Sequence, residues 1–281
     1  MSRTELQKTA AEIRGRIVTM CHAAKSAHLA SSLSVTDILT AAYFSAANID
    51  PKNPDDPARD RVILSKGHAA MALYATLAKR GYFDAELLDT YNQDGALLAE
   101  HPPANLLAGV EAATGSLGHG LPIGAGIALA NKINAKARGD APHRVFVVQS
   151  DGECNEGSVW EAAMFAGGNG LDNLIVLVDY NKWQATARSN ETLALSPLRD
   201  KWEAFGWDAH QVDGHDPDNL ANLMANVPNG SGKPVAIVCD TVKGKGVDFM
   251  EDDNNWHYRV PKPDEVEEAH KQLGLIEGVA A

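Results

Sequence analysis

Four short apolar runs, Val62 to Ser65, Arg144 to Gln149, Leu174 to Asp179 and Val235 to Cys239, constrain the fold of this chain more than any other feature. They are continuous rather than alternating, which predicts strands buried on both faces. The first runs into Lys66-Gly67-His68 and an alanine-rich helix; the second into a polar Asp-Gly turn and a helix from about Glu156 to Gly167. Strands that alternate with helices in this way predict an α/β fold, a doubly wound parallel sheet with helices on both faces. Ligands of such sheets bind at the carboxyl ends of the strands. Ahead of the first strand, Leu6, Ile13, Ile17 and Met20 keep helical spacing, so an amphipathic helix is expected over the first thirty residues, ending near Ser26-Ala27-His28. A second helix is expected from Val35 to Ala47, and an irregular connection over the Pro-, Asp- and Asn-rich stretch Asp50 to Asp60. Asn229 to Pro234 reads as a surface loop, and no internal repeat or low-complexity tract interrupts the pattern.

The 281 residues, 44% of them hydrophobic, suffice for one large core, and a single domain over 1–281 is the expectation. No charged start leads into an apolar stretch and no run reaches about 18 apolar residues, so neither export nor membrane insertion is supported and a cytoplasmic address is expected. Cys21, Cys154 and Cys239 are odd in number and widely spaced, which argues against a disulfide framework or a zinc site. A formal net charge of −12 argues against nucleic acid as a partner. Any phosphate must therefore be captured locally, by backbone N–H groups at a helix start or through a cation held by oxygen ligands.

The sharpest chemical signal lies at two strand ends, Ser150-Asp151-Gly152-Glu153 and Asp179-Tyr180-Asn181. One strand-helix-strand unit brings a carboxylate, Asp151, and an amide oxygen, Asn181, to the same sheet edge, where they can converge on a magnesium or calcium ion. Gly152 allows close approach of a diphosphate, and the following helix directs free N–H groups at it. Taken alone, Asp-Gly after a strand is equally a tight turn.

These residues resemble the thiamine-diphosphate motif of transketolases, Gly-Asp-Gly followed after about thirty residues by Asn. The likeness runs nearly end to end, through Ala24 to Leu33, Leu64 to Ala69, Glu100-His101-Pro102, Ala113 to Gly120, Asp151 to Ala162 and Thr241 to Val247. It is to the amino-terminal, diphosphate-binding domain only, and most of all to the shorter subunit of split, two-chain transketolases. The resemblance implies that Asp151, Asn181 and the backbone oxygen of Trp183 hold Mg2+ or Ca2+. It places Gly152, His68 and His119 at the diphosphate, and Gly115, Ser116 and Leu117 against the aminopyrimidine and thiazolium. Glu153, Glu156 and Ala185 complete the cofactor-binding set, with Glu156 and Glu161 matching glutamates that link two active sites across a subunit interface. His28, His68, His101 and His257 are implied around the substrate channel, where imidazoles donate to or exchange protons with sugar hydroxyls.

The implied activity is transfer of a two-carbon glycolaldehyde unit from a ketose phosphate, or a related ketose such as a sulfosugar, to an aldose. The implied partner is a second chain carrying the pyrimidine-binding domain, in an α2β2 heterotetramer, with Trp160, Met164 and Phe165 as candidate contacts. The chain departs from the family pattern at Ser150 (usually glycine), Ser116 (often proline), Leu29 (proline), Tyr258 (glycine), His119 (often glutamine) and Ala185-Thr186-Ala187 (often Ile-Asp-Gly). Two other readings stay open on sequence: a subunit of a 2-oxo acid dehydrogenase or deoxyxylulose-phosphate synthase type of enzyme, and a non-catalytic cofactor-binding scaffold.

Overall fold

Every strand of the sheet runs parallel to its neighbours, as buried apolar strands joined by helices require. The computed structural model describes residues 4–276, so the domain expectation over 1–281 extends at both ends beyond the described residues. Strands β1 (Arg61–Leu64), β2 (Val145–Ser150), β3 (Leu174–Tyr180), β4 (Asp208–Asp213) and β5 (Val235–Asp240) lie in the order β1-β2-β3-β5-β4. The helices are α1 (Glu5–Ala24), α2 (Leu29–Ser34), α3 (Thr36–Ala41), α4 (Ala70–Arg80), α5 (Gly120–Arg138), α6 (Gly157–Gly168), α7 (Ser189–Thr192), α8 (Leu198–Ala204), α9 (Pro217–Ala225) and α10 (Pro263–Leu273). The fold class expected from the sequence is the one observed.

Because side chains alternate across a strand, each central strand feeds two cores. Phe146 and Val148 of β2 pack with α1 to α4, α9 and α10, whereas Val145 and Val147 pack with α5, α6 and α8. The chain leaving β1 turns into α4 on the first face, and the chain leaving β2 turns into α6 on the second. That divergence opens a crevice at the carboxyl ends of the strands. The register aligns the strand ends: Leu64 lies opposite Val148, Ser150 opposite Asp179, and Tyr180 opposite Asp240. The loops after β1, β2, β3 and β5 therefore start at nearly one level.

The N-terminal helix is set by a capping box between Thr4 and Gln7 and ends with Lys25 in the left-handed conformation. The helix expected from Val35 to Ala47 begins earlier, at Leu29, and is divided at Val35; its last turn, Ala42–Ala46, is π-helical. Arg14 Nε donates to the Leu33 carbonyl at 3.1 Å beside this division, drawing that oxygen toward a side chain. Strand β4 gave no apolar run because it is an edge strand: Ala209 faces one core, Val212 the other, and the rest is polar. Helix α5 was also unanticipated. Its glycines disguise it, yet they serve packing: a Cβ on Gly124 would lie 2.5 Å from Val147 Cγ2.

Two helical glycines separate propensity from packing. Gly126 has open space around a would-be Cβ, whereas on Gly167 that atom would lie 2.1 Å from the Phe205 carbonyl oxygen. Gly126→Ala should stabilise the chain by roughly 0.5–1 kcal/mol, and Gly167→Ala should destabilise it by roughly 1–3 kcal/mol. Urea unfolding of both variants checks this; a gain at Gly167 would contradict the packing of α6 on the loop before β4.

Candidate functional site

A cavity of about 400 Å³ opens at the carboxyl ends of β1, β2 and β3. Its wall includes Gly152 from the turn after β2 and Asn181, Trp183 and Ala185 from the segment after β3. Asp151 sits directly behind that wall, fully buried. Its Oδ1 accepts from Gly152 N–H at 2.9 Å, and its Oδ2 accepts from Lys182 N–H at 3.0 Å and Ser189 Oγ at 2.7 Å. Burial, reinforced by the nearby Asp179 carboxylate and only partly offset by the Ser189 and Gly152 hydrogen bonds, pushes the Asp151 carboxyl up to about 6. A divalent cation beside it would relieve that strain.

Asn181 is oriented by its amide nitrogen, which donates to Ser34 Oγ at 3.2 Å and toward Asp179 Oδ2 at 3.5 Å. Its Oδ1 is thereby left on the opposite side, accepting from Trp183 N–H at 3.1 Å with a second lone pair to spare. Lys182, in the left-handed conformation, turns the chain so that the amides of Lys182 and Trp183 reach the Asp151 and Asn181 oxygens in succession. One carboxylate and one amide oxygen at this turn are hard-oxygen donors of the kind that Mg2+ or Ca2+ takes. Among the described residues no cluster of three or more His, Cys, Asp or Glu side chains forms a metal cage, so any cation here would take water or ligand oxygens as well.

The loop Thr114 to Gly120 forms the opposite wall through Gly115 and Leu117. Close backbone approach explains its glycines. A Cβ on Gly67 would lie 2.5 Å from the Thr114 carbonyl carbon, and Gly115, at φ +152°, would place one 2.8 Å from the His101 ring. Thr114 Oγ1 donates to the Leu64 carbonyl at 2.6 Å. Glu153 secures the far end: its carboxylate accepts from Ser65 Oγ, from Gly118 N–H at 2.8 Å and from Ser150 N–H at 3.3 Å. Glu153 is thus buried beneath the loop, its pKa raised by burial, and does not line the cavity. Ser116 and His119 also lie off the wall; the His119 ring turns back to the Ser116 and Leu117 carbonyls at 3.1 Å.

The four singled-out histidines do come together. Ring centroids of His28 lie 5.4 Å from His68, 6.3 Å from His101 and 5.0 Å from His257, and all four line the cavity. Burial lowers His28, with Glu100 opposing it in part, and burial with Lys66 holds His68 well below its usual value. His257 is drawn down to about 3 by burial and by Lys243. Lys243 Nζ donates to His257 Nδ1 at 3.0 Å and to Asn254 Oδ1 at 2.7 Å. With Nδ1 accepting, neutral His257 carries its proton on Nε2. His28 Nδ1 is buried with no hydrogen-bond partner and stands 3.6 Å from Glu100 Oε1, beyond hydrogen-bond reach.

Several contributors escaped the sequence reading. Lys66, fully buried, pairs with Asp179 at 2.5 Å and donates to the Ser31 carbonyl at 3.0 Å. Lys243, equally buried, is lowered to about 8 by burial and by Lys66. Buried lysines beside buried carboxylates were the available signal, but only the fold reveals the burial. Ser31, Asn155 and Gln184 also line the cavity, and Gln184 Nε2 is buried without a partner. Glu156, at the N-cap of α6, lines the cavity, whereas Glu161 lines a separate cleft with His119 and Phe165. Of the three proposed contact residues, Met164 (57%) and Phe165 (44%) are exposed. Trp160 is instead half-buried against Trp202 and Phe205 and donates to the Cys154 carbonyl at 2.7 Å.

Comparison with known proteins identifies the family. The family described as transketolase, thiamine diphosphate binding domain, matches residues 6–278. A 6-deoxy-6-sulfo-D-fructose transketolase subunit from Clostridium sp. (strain MSTE9) is 45% identical over 224 residues, 80% of each chain. An apulose-4-phosphate transketolase subunit from Actinobacillus succinogenes is 41% identical over 275 residues, 97% of each chain. A solved variant of transketolase from Pichia stipitis superposes with a TM-score of 0.90 at 29% identity, over 97% of this chain. The chain spans 41% of that transketolase's length. With a matching sequence over nearly its whole length and the same parallel sheet, the chain belongs to the transketolase family, as its thiamine diphosphate-binding domain.

Proposed function

We propose that residues 1–281 form a single diphosphate-binding domain that serves as one subunit of a two-chain transketolase, transferring a glycolaldehyde unit from a ketose to an aldose. The observation that carries this reading is the convergence of Asp151, Gly152 and Asn181 with four imidazoles on one cavity. Thiamine diphosphate, when bound, supplies the thiazolium carbon that stabilises negative charge as a bond next to a ketose carbonyl breaks. Asp151, Asn181 and the Trp183 carbonyl hold Mg2+ or Ca2+, which neutralises the diphosphate. Gly152 leaves room for that diphosphate beside Gln184, whose side chain would lie 3.1 Å from a Cβ at position 152. Leu117 and Gly115 bear on the cofactor rings, and Ala185 leaves space on the facing wall. His119, Ser116 and Glu153 act from outside the cavity, by shaping the loop that carries Gly115 and Leu117.

His28, His68, His101 and His257 do the work of hydrogen bonding. A neutral imidazole donates from one ring nitrogen and accepts at the other, as needed to orient sugar hydroxyls and shuttle a proton between them. For His257 the donor is Nε2, because Lys243 occupies Nδ1. The substrates are sugars with an anionic end, phosphate or sulfonate, and the groups that grip that end belong to the partner. Support for a partner comes from the relatives named as subunits, which match at 80% and 97% of their own lengths. A C-terminal transketolase subunit with the pyrimidine-binding domain completes the cofactor site in an α2β2 heterotetramer, whose contacts include Met164 and Phe165. Glu156 and Glu161 lie toward that assembly. The setting is carbohydrate metabolism in the cytoplasm. No helix among the described residues is long and apolar enough to cross a membrane.

Asp151→Ala should abolish magnesium-dependent retention of thiamine diphosphate while preserving the far-ultraviolet circular dichroism; unchanged affinity in calorimetry would remove Asp151 from the metal site. If the wild-type chain, with or without candidate partners, binds no cofactor at all, the thiamine diphosphate reading fails; cofactor binding without glycolaldehyde transfer in the presence of the partner would favour the non-catalytic cofactor-binding scaffold.

The Asp151 shift also predicts a pH dependence for the cofactor-free chain. Its carboxyl ionises near 3.8 when unfolded and near 6 when folded, so the unfolded state loses the proton first and stability falls as pH rises between those values. From pH 4 to pH 7, the unfolding free energy of wild type relative to Asp151→Ala should drop by roughly 2 kcal/mol. Denaturant titrations of both proteins at the two pH values measure this difference.

His101→Ala should lower turnover of the reconstituted enzyme by about 10²–10⁴ with cofactor affinity retained. Concurrent loss of the cofactor would place His101 at the diphosphate rather than at the sugar.

A further inference from the structure

His215 lies outside the cavity, just beyond β4, yet hydrogen bonds tie it to Val242, the residue next to Lys243, whose side chain reaches the cavity histidine His257. Its Nδ1 stands 2.7 Å from Asp37 Oδ2, and its Nε2 accepts from the backbone N–H of Val242 at 2.8 Å. An acceptor at Nε2 fixes the tautomer: the proton is on Nδ1 and points to Asp37. Asp37 is gripped by Arg14 at 3.2 and 2.5 Å. Burial acts to raise the Asp37 carboxyl, but Arg14 and His215 outweigh it and keep it below the usual carboxylate value, so the acceptor is charged. This Arg-Asp-His series joins α1, α3 and the end of β4, and its terminus is a single amide.

That amide sits between two residues of the site. Thr241, before it, donates its hydroxyl to Asp179; Lys243, after it, reaches His257 Nδ1 and Asn254. The end of β4 is also pressed on this segment: Gly214 N–H donates to the Asp240 carbonyl at 2.8 Å, and a Cβ on Gly214 would lie 2.4 Å from Thr241 Cγ2. From His257 one backbone bond continues to a second cavity residue, its carbonyl accepting from His28 N–H at 2.7 Å.

We propose that His215, oriented by Asp37, is a positioning residue for the cofactor site: by fixing the Val242 amide it sets Lys243, and through Lys243 the tautomer and placement of His257. The proposal rests on reading the cavity as a thiamine diphosphate site, and adds a device that acts on it from outside. A lone structural histidine would stabilise the loop without regard to Lys243. A positioning residue loses its effect once Lys243 is gone, and that difference is measurable.

The test is a double-mutant cycle on the full chain, read as the dissociation constant of thiamine diphosphate in saturating magnesium by calorimetry. His215→Leu removes the acceptor and should weaken binding about tenfold, the scale of one lost buried hydrogen bond. His215→Gln, whose amide can donate to Asp37 and accept from Val242, should recover most of that loss. Lys243→Met should weaken binding by itself, and adding His215→Leu to it should cost little more, so that the two effects fail to multiply. Should His215→Leu not fold, His215→Asn takes its place in the cycle. Multiplying penalties, or unchanged affinity in His215→Leu, would overturn the proposal. If wild type binds no cofactor either alone or with candidate partners, the reading of the cavity fails instead. The relay is then judged by amide exchange over residues 241–243, which should quicken in His215→Leu and slow again in His215→Gln; equal exchange in all three would sink it.

Discussion

One buried carboxylate, Asp179, organises the cavity. Four donors from four separate parts of the chain converge on it: Lys66 after β1, Ser34 in α2, Asn181 after β3 and Thr241 after β5. Taking this charge out of water costs several kcal/mol, which the Lys66 ion pair offsets only because the remaining lone pairs are also occupied. Removing any donor leaves part of the carboxylate bare, so the four segments hold their places together. Parallel register delivers these segments to one level, and the carboxylate then locks them against one another. It also reaches beyond itself, since its negative charge adds to burial in raising the neighbouring Asp151 carboxyl.

What could be read from the sequence follows from which interactions are local. The central strands declared themselves as apolar runs because both their faces are buried, and the Asp151 and Asn181 positions followed from the strand ends. The four histidines were found through family likeness, and the fold unites them around one cavity. The edge strand β4 stayed hidden because only Ala209 and Val212 face the cores. Helix α5 stayed hidden because two of its glycines, Gly120 and Gly124, are dictated by contacts with Ser65 and Val147, distant in sequence. Glu153 shows the opposite failure. It stands within the motif, yet its neighbours Ser65 and Gly118 make it the anchor of a loop rather than a ligand contact. Nothing in its immediate sequence separates those roles.

Lys66 and Lys243 explain how an acidic chain can serve an anionic cofactor. A net charge of −12 sets a repulsive long-range field, but screening confines that field to roughly 8–10 Å at ordinary salt. Inside the cavity wall the balance differs. Two fully buried ammonium groups face Asp151 and Asp179, and the imidazoles of His28, His68 and His257 around them are kept neutral by burial and by those same lysines. Neutral imidazoles beside these paired charges can donate to and accept from hydroxyl groups without adding charge to the cavity. Lys243 meets both demands at once: its charge supports the anion, and its hydrogen bond leaves His257 with Nε2 as its donor. The local charge balance is thus set by a few desolvated groups whose positions the sheet fixes, and the surface is free to remain acidic.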